Sequence, residues 1–429
     1  MTIQDTIQAL ENGQFDSCLQ TLYACHSESE LKPYRKRFLK AVSAFRDNFG
    51  DCEDIALFST PGRTELGGNH TDHQGGHVLA GSVNADIIAV AARRQSGRIR
   101  LQSEGMPLDD VDLSDFSPQD DEINTSAALL RGIASKFTEM GYPVTGFDAY
   151  TTSDILRGSG LSSSAAFEVL AGTICSAFFA DSAVTPVQIA QIGQYAENVY
   201  FGKPCGLMDQ MACAVGGVIA IDFKDETPVI TGTELNLEQL GYALCIIDSN
   251  ADHAELTSAY AAIPAEMQNI AKMFGKERLS EVPEAEFISH FSGLRHTCGD
   301  RAVLRAMHFY TDDKRVPLQL QALQNQDFDA YLKLVRASGD SSFRYLQNVS
   351  TYENSEKQEI IIALAVCEEF LGGRGAVRIH GGGFAGTVQA YVPLDILKTF
   401  KMQTESVLGV DRCHVLKIRN AGSTQLHTA

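Results

Sequence analysis

The segment Gly158-Ser159-Gly160-Leu161-Ser162-Ser163-Ser164-Ala165-Ala166 joins two stretches of different periodicity. Before it, Phe147, Ala149 and Thr151 alternate with other residues across 147–152, the period of a strand. After it, residues 163–180 form a long, mainly apolar run that reads as a helix. Glycines at such a handover let the backbone pass close to a ligand. The unpaired amides and dipole at the following helix start favour an anion such as a triphosphate. Hydroxyls at Ser162, Ser163 and Ser164 add possible contacts to phosphate or Mg²⁺. A flexible turn capped by serine fits the same letters, so the loop alone leaves both readings open.

Two other phosphate motifs are excluded. No Lys-Ser/Thr follows a G-x-x-x-x-G, and the third glycine of the dinucleotide fingerprint is missing. The run His380-Gly381-Gly382-Gly383 has the form of an oxyanion loop, but no G-x-S-x-G elbow accompanies it, which argues against a serine hydrolase.

Outward from the loop, strand patterns fall at 55–58, 78–93, 98–102, 218–223, 242–249, 376–380 and 387–392. Helical patterns fall at 4–30, read as a hairpin of helices, and at 32–48, 254–274, 300–310, 327–338 and 355–371. Thr185 as N-cap and Pro186 in the first turn start another, with Ile189, Ile192, Ala196 and Tyr200 as its stripe until Gly202 and Pro204 stop it. Strands and helices interleave without a regular count. The expected fold is α+β, two domains of mixed sheet and helices with the active site in the cleft between them. The expected divisions are a helical extension over 1–30, a domain over 31–222 and a second over 223–429.

Composition narrows the function. Thirty-five basic against 54 acidic side chains leave a net charge of −19, a poor surface for nucleic acid or an anionic membrane. An anionic substrate would need a local cation set against that field. Ten cysteines occur with no C-x-x-C pair, the first residues have no apolar core, and no apolar run approaches the roughly 20 residues that span a bilayer. These features predict a cytoplasmic protein acting on a small molecule; oligomeric state is not legible.

A second segment supplies the cation. Pro61-Gly62-Arg63-Thr64-Glu65-Leu66-Gly67-Gly68-Asn69-His70-Thr71-Asp72-His73-Gln74-Gly75-Gly76-His77 sets Arg63 before a glycine pair and a dense group of short hydrogen-bonding side chains, an inventory suited to a polyhydroxylated ligand such as a sugar. A metal site from His70, Asp72, His73 and His77, or a plain polar turn, are the other readings. A third glycine loop, Arg378-Ile379-His380-Gly381-Gly382-Gly383-Phe384-Ala385-Gly386, ends a strand and says only that backbone approaches something closely.

In order, the three segments resemble the galactokinase branch of the galactokinase, homoserine kinase, mevalonate kinase and phosphomevalonate kinase superfamily, over about residues 34–419. A fourth match, Ala196-Glu197-Asn198-Val199-Tyr200-Phe201-Gly202-Lys203-Pro204-Cys205-Gly206-Leu207-Met208-Asp209-Gln210, resembles the family's A-E-x-x-x-x-G-x-x-C-G-x-M-D-Q. The resemblance implies an ATP-dependent kinase that phosphorylates the anomeric hydroxyl of a sugar. It implies Asp209 as the base with Arg63 beside it, and Gly158, Ser159, Gly160, Leu161, Ser162, Ser163 and Ser164 around the ATP phosphates. It further implies Mg²⁺ on Ser164 and Glu197, sugar contacts from Asn69, His70, Asp72 and Tyr260, and closure by the loop at 381–386. An arginine beside Asp209 keeps the carboxylate ionised while weakening it as a base.

Departures from the family pattern bear on the substrate. Galactokinases read G-E-H-x-D-Y where this sequence has Gly68-Asn69-His70-Thr71-Asp72-His73, and loss of the carboxylate would relieve repulsion against a C6 carboxylate. Galacturonate kinases carry a similar change, and their Ser-Gly-x-Ser-Ser resembles Ser338-Gly339-Asp340-Ser341-Ser342. Against this, Asp252 stands where the family often has Arg, and the adenine-side segment 125–132 lacks the usual aromatics. The expected acceptor is thus galactose or a C6 variant such as galacturonate. The alternative function is a non-catalytic sugar and ATP sensor or co-regulator derived from such a kinase.

Overall fold

Strand β1 (Ala56–Gly67) is buried along nearly its whole length because both of its faces are covered. The computed structural model describes residues 1–156, 158–203, 205–225, 227–251, 256–351 and 355–428. After β1 come β2 (His77–Arg93), β3 (Arg98–Ser103), β4 (Leu108–Asp112), β5 (Gly146–Ser153), β6 (Val218–Asp222) and β7 (Val229–Thr233). The remaining strands are β8 (Tyr242–Asp248), β9 (Ala376–Ile379), β10 (Thr387–Pro393), β11 (Cys413–Leu416) and β12 (Thr424–Gln425).

The larger sheet runs β12-β1-β2-β5-β3-β4. Strand β2 is long enough to serve two partners, β6 along residues 77–81 and β5 along 87–93, and β7 extends the sheet beyond β6. The smaller sheet is antiparallel, in the order β11-β8-β10-β9.

Alternation along the strands decides what each face meets. Phe58, Ala89, Ala91, Phe147 and Ala149 share a core with the helices Ser126–Glu139, Ser163–Phe179, Pro186–Ala196 and Met208–Val215. Their neighbours Leu57, Ile88, Val90 and Tyr150 instead join Leu10, Leu19, Phe38 and Phe45 from the helices Ile3–Glu11, Asp16–Tyr23 and Glu28–Phe49. Residues 1–30 therefore cover one face of the sheet that carries Arg63. Tyr23 Oη donates to buried Asp86 at 2.6 Å, which fixes that cover.

The smaller sheet has one face on the helices Glu359–Leu371 and Leu397–Leu408. Its other face, with Leu244, Ile246 and Tyr391, joins the core of the larger sheet. The helices Asp300–Gln324 and Phe328–Ser341 lie between the two, the first with Pro317 inside it. Past residue 222 the chain thus returns twice to the larger sheet, as β7 and as β12.

Several elements depart from the sequence reading. The strand read at 55–58 continues to Gly67, so Arg63 stands on a strand and the polar loop begins only at Gly68. The helix read at 300–310 runs to Gln324, with Val316 before Pro317 and Ala322 and Leu323 after it buried. The helix read at 254–274 is described over Thr257–Lys272. Asp252 and Pro204 lie outside the described residues.

Candidate active site

Gly62 creates the site's first constraint. The register between β1 and β2 shifts between Pro61 and Arg63, a bulge that re-aims the next side chain. A Cβ on Gly62 would stand 2.8 Å from the Leu161 carbonyl, so only glycine lets β1 approach the phosphate loop this closely. Arg63 N–H then donates to the Leu161 carbonyl at 3.1 Å.

From there the guanidinium reaches both parts of the predicted machinery. Arg63 Nε donates to Asp209 Oδ1 at 2.7 Å, and Nη1 donates to the Gly160 carbonyl. Ser162 Oγ donates to Asp209 Oδ2 at 2.5 Å. Ser162 precedes the helix Ser163–Phe179 with φ 58°, a left-handed conformation unusual for serine, and that conformation carries the hydroxyl onto the carboxylate. Burial opposes ionisation of Asp209, but the charge and hydrogen bonds of Arg63, with Ser162, outweigh it and hold the carboxyl below its ordinary value. Arg63 is almost sealed at 7% side-chain exposure, whereas Asp209 keeps 33%.

The phosphate loop presents the helix start as the sequence predicts. Gly158 and Gly160 take positive φ, Leu161 is buried as an anchor, and Ser163 and Ser164 open the helix, Ser164 exposed. Ser159 is turned inward, its Oγ donating to the Leu156 carbonyl at 2.7 Å. Ser162 thus serves the acid and Ser159 the loop's own backbone, leaving Ser163 and Ser164 as the hydroxyls at the helix mouth.

The sugar-binding candidates separate into two groups. His70, with φ 59°, donates its Nε2–H to the Gly382 carbonyl at 2.9 Å, and burial holds its imidazole down at about 4 and hence neutral. Tyr260 lies against Gly382 so closely that a Cβ there would overlap its hydroxyl, and its ring centroid is 5.3 Å from that of His70. Asp72 packs its Oδ2 where a Cβ on Gly206 would be, three residues before Asp209. Of these, Tyr260 lies within electrostatic reach of both Asp209 and Asp72.

Asn69 belongs to the other group. It is fully buried, and its Nδ2 donates to Glu65 Oε1 at 3.0 Å and to the Gly381 carbonyl at 2.6 Å. Its Oδ1 accepts from Asn348 Nδ2 at 2.8 Å and from Ser342 Oγ at 3.3 Å. Both faces of the amide are engaged by protein.

Behind Asn69 lies Glu65, which sequence reasoning passed over although it stands inside the quoted motif. Its Oε1 accepts from Arg378 Nη2 at 2.5 Å. Burial pushes its carboxyl up to about 7 against the pull of Arg378 and Arg63.

Glu197 is buried, with Lys203 Nζ 3.5 Å from Oε1 and Gln210 Nε2 donating to Oε2 at 3.0 Å. The same Gln210 Nε2 lies 2.9 Å from Glu168 Oε2, and Glu168 Oε1 is buried without a partner. Burial, then the nearby Glu197, raises the Glu168 carboxyl well above its usual range. Both carboxylates offer the hard oxygen that a divalent cation prefers. The alternative metal set does not assemble. His77 is drawn to Asp313 and Asp222, His70 to Gly382, and among the described residues no group of three or more His, Cys, Asp or Glu could hold a metal ion.

Residues 43–93 match the family described as galactokinase galactose-binding signature, and residues 128–217 match the GHMP kinases N terminal domain. Galactokinase of Streptomyces coelicolor is 31% identical over 350 residues, covering 80% of this chain and 86% of the relative. Galactokinase of Enterococcus faecalis is 30% identical over 370 residues, covering 84% and 91%. Among solved structures, Lactococcus lactis galactokinase complexed with galactose aligns with a TM-score of 0.78 at 26% identity, covering 91% of this chain and all of that one. Methanococcus jannaschii mevalonate kinase, at 14% identity and a TM-score of 0.58 over 85% of this chain and 99% of that one, shares the fold.

Proposed function

The chain belongs to the galactokinase family of the GHMP kinases and is a sugar kinase, and on that premise we propose that it transfers the γ-phosphoryl group of ATP to the anomeric hydroxyl of galactose. The observation that carries this reading is the meeting of Arg63, Asp209 and Ser162 at the mouth of the phosphate loop.

Each group then has a task. The substrate hydroxyl meets the free lone pairs of Asp209, which orients it and takes its proton as the bond to phosphorus forms. Because Arg63 and Ser162 stabilise the ionised carboxylate, Asp209 is a weak base, and Arg63 contributes chiefly by offsetting charge on the transferring group. His70, Asp72 and Tyr260 are proposed to hold sugar hydroxyls, and Gly158, Ser159, Gly160, Leu161, Ser162, Ser163 and Ser164 to wrap the phosphates. Ser164 and Glu197 would hold Mg²⁺, which when bound neutralises phosphate charge and aligns the leaving group. The proposed two-unit division at 222/223 places Arg63, Asp209 and the phosphate loop in one unit and Tyr260 and the 381–386 loop in the other.

A neutral hexose is favoured over galacturonate because both faces of the Asn69 amide are engaged by protein, so the change at residue 69 opens no place for a C6 carboxylate. Intact Arg63, Asp209 and glycine loop favour turnover over a sensor role. Among the described residues no helix is long and apolar enough to cross a membrane. Phosphorus NMR of reactions containing Mg-ATP and galactose, glucose or galacturonate tests the proposal. Galactose 1-phosphate as the dominant product is expected, and equal failure on all three sugars would overturn the substrate assignment.

A further inference from the structure

His380, left without a task once hydrolase chemistry is excluded, stands between the two sheets and the phosphate loop. Its Nε2 is 3.0 Å from Thr64 Oγ1 on β1, and its Nδ1 is 2.9 Å from Thr387 Oγ1 on β10. Two carbonyls fix the direction of every hydrogen in this group, because a carbonyl only accepts. At one end Thr387 Oγ1 lies 2.7 Å from the Ser159 carbonyl and must spend its hydrogen there, so His380 Nδ1 carries a proton and donates to Thr387. At the other end Gln389 Nε2 donates to the Glu65 carbonyl at 2.9 Å, which fixes its amide orientation, and to Thr64 Oγ1 at 2.7 Å. Thr64 Oγ1 is then the donor to His380 Nε2.

The relay closes only with a neutral imidazole protonated on Nδ1. A second proton on Nε2 would leave two donors facing each other unless Thr64 turned its hydrogen away. Burial, reinforced by the charges of Arg63 and Arg378 and opposed by the Ser159 carbonyl, holds the ring down at about 3, in keeping with that tautomer. Packing points to the same place. His380 Nδ1 would stand 3.0 Å from a Cβ on Gly160, the residue whose carbonyl accepts from Arg63.

We propose that His380 is a positioning residue for the phosphate loop, locking the Ser159–Gly160 backbone to both sheets through Thr64 and Thr387. The loop's carbonyls are thereby turned inward, toward Thr387 and Arg63. The proposal rests on the kinase reading only for its kinetic consequence, since the lock exists without nucleotide.

Two measurements separate those claims. In the ligand-free protein, hydrogen exchange of a peptide covering residues 158–166 is expected to accelerate in His380→Ala and in Thr387→Val, with little change in the peptides of the helices 3–11 and 16–23. In steady state, the same variants are expected to raise KM for Mg-ATP about tenfold, the scale of one or two lost hydrogen bonds, while KM for galactose changes less than twofold. His380→Asn, whose amide can reach the Nδ1 side and donate to Thr387, is expected to recover most of both effects, and His380→Gln, which reaches toward Thr64, is not. Unchanged exchange in both His380→Ala and Thr387→Val, or equal rises in both KM values, would overturn the proposal. If His380→Ala fails to fold, Thr387→Val alone decides, because it removes one hydroxyl at nearly constant volume. Absence of turnover on every sugar would defeat the kinase reading and leave the exchange result to judge the lock.

Discussion

Arg63 and Glu65 leave β1 on the same face two residues apart, and each is half of an arginine–carboxylate pair. Arg63 meets Asp209 at 2.7 Å, and Glu65 meets Arg378 at 2.5 Å. The difference is access to water. Asp209 keeps 33% of its side chain exposed, while Glu65 and Arg378 keep 4% and 0%. Half-open, the first pair is ionised, with Asp209 held below its ordinary value, and can meet a substrate. Sealed, the second cannot be solvated, and burial drives Glu65 upward. The same two chemical groups thus become the proposed reaction machinery in one place and a joint between sheets in the other.

Breaking the open pair gives the largest expected effect. Arg63→Ala is expected to lower kcat/KM by on the order of 10³-fold, as for a cation at a transferring phosphoryl group. It also removes the charge that depresses Asp209, so the acid limb of the pH–rate profile moves to higher pH; a limb that stays in place would separate Asp209 from Arg63. A smaller loss follows from Ser162→Gly, which relaxes the positive φ but deletes the hydroxyl on Asp209. Turnover is expected to fall about tenfold, the scale of one hydrogen bond to a charged group, without loss of Tm. Unaltered kcat would remove Ser162 from its role.

The sealed pair answers to pH rather than to substrate. With Glu65 raised to about 7 in the folded protein and near 4.3 when unfolded, the folded state binds the extra proton between those values. Stability from this group is fully present below the lower value and is lost as pH rises through the upper one. Glu65→Gln, which cannot ionise, is therefore expected to gain in Tm relative to the wild type as pH goes from 5 to 8. A gap moving the other way would show that Arg378 keeps Glu65 ionised. The least change in turnover is expected from Asn69→Glu, which sets a second carboxylate against Glu65 in a closed space. Its Tm should fall, while the ratio of rates on galactose and galacturonate should move less than threefold. A tenfold shift in that ratio would return residue 69 to the sugar.

Much of the site was legible because its parts are backbone-defined. Glycines with serines before a helix, and Asp209 within a segment of the family's spacing, were read directly. That Arg63 stands on a strand is hidden in the sequence, since a bulged strand with Pro61 and Gly62 does not alternate as strands do. Asn69 and Glu65 were beyond a linear reading. Which of two polar side chains four residues apart faces a ligand is decided by Arg378 and Asn348, more than 270 positions later in the chain. His380 was visible as a letter, but its partners come from β1, β10 and the phosphate loop, and only folding brings them together. Short or acidic strands such as β4 and β12 carry too few apolar residues to announce themselves.

The most direct test of the account compares Asp209→Asn with the wild type, measuring galactose affinity by calorimetry and turnover with Mg-ATP on the same preparations. The amide keeps the shape and the contact with Arg63 while losing the charge, so galactose affinity within a few-fold of wild type and a kcat lower by roughly 10²–10⁴-fold are expected. Turnover preserved within a few-fold would contradict the assignment of Asp209, and with it the convergence from which the function is read.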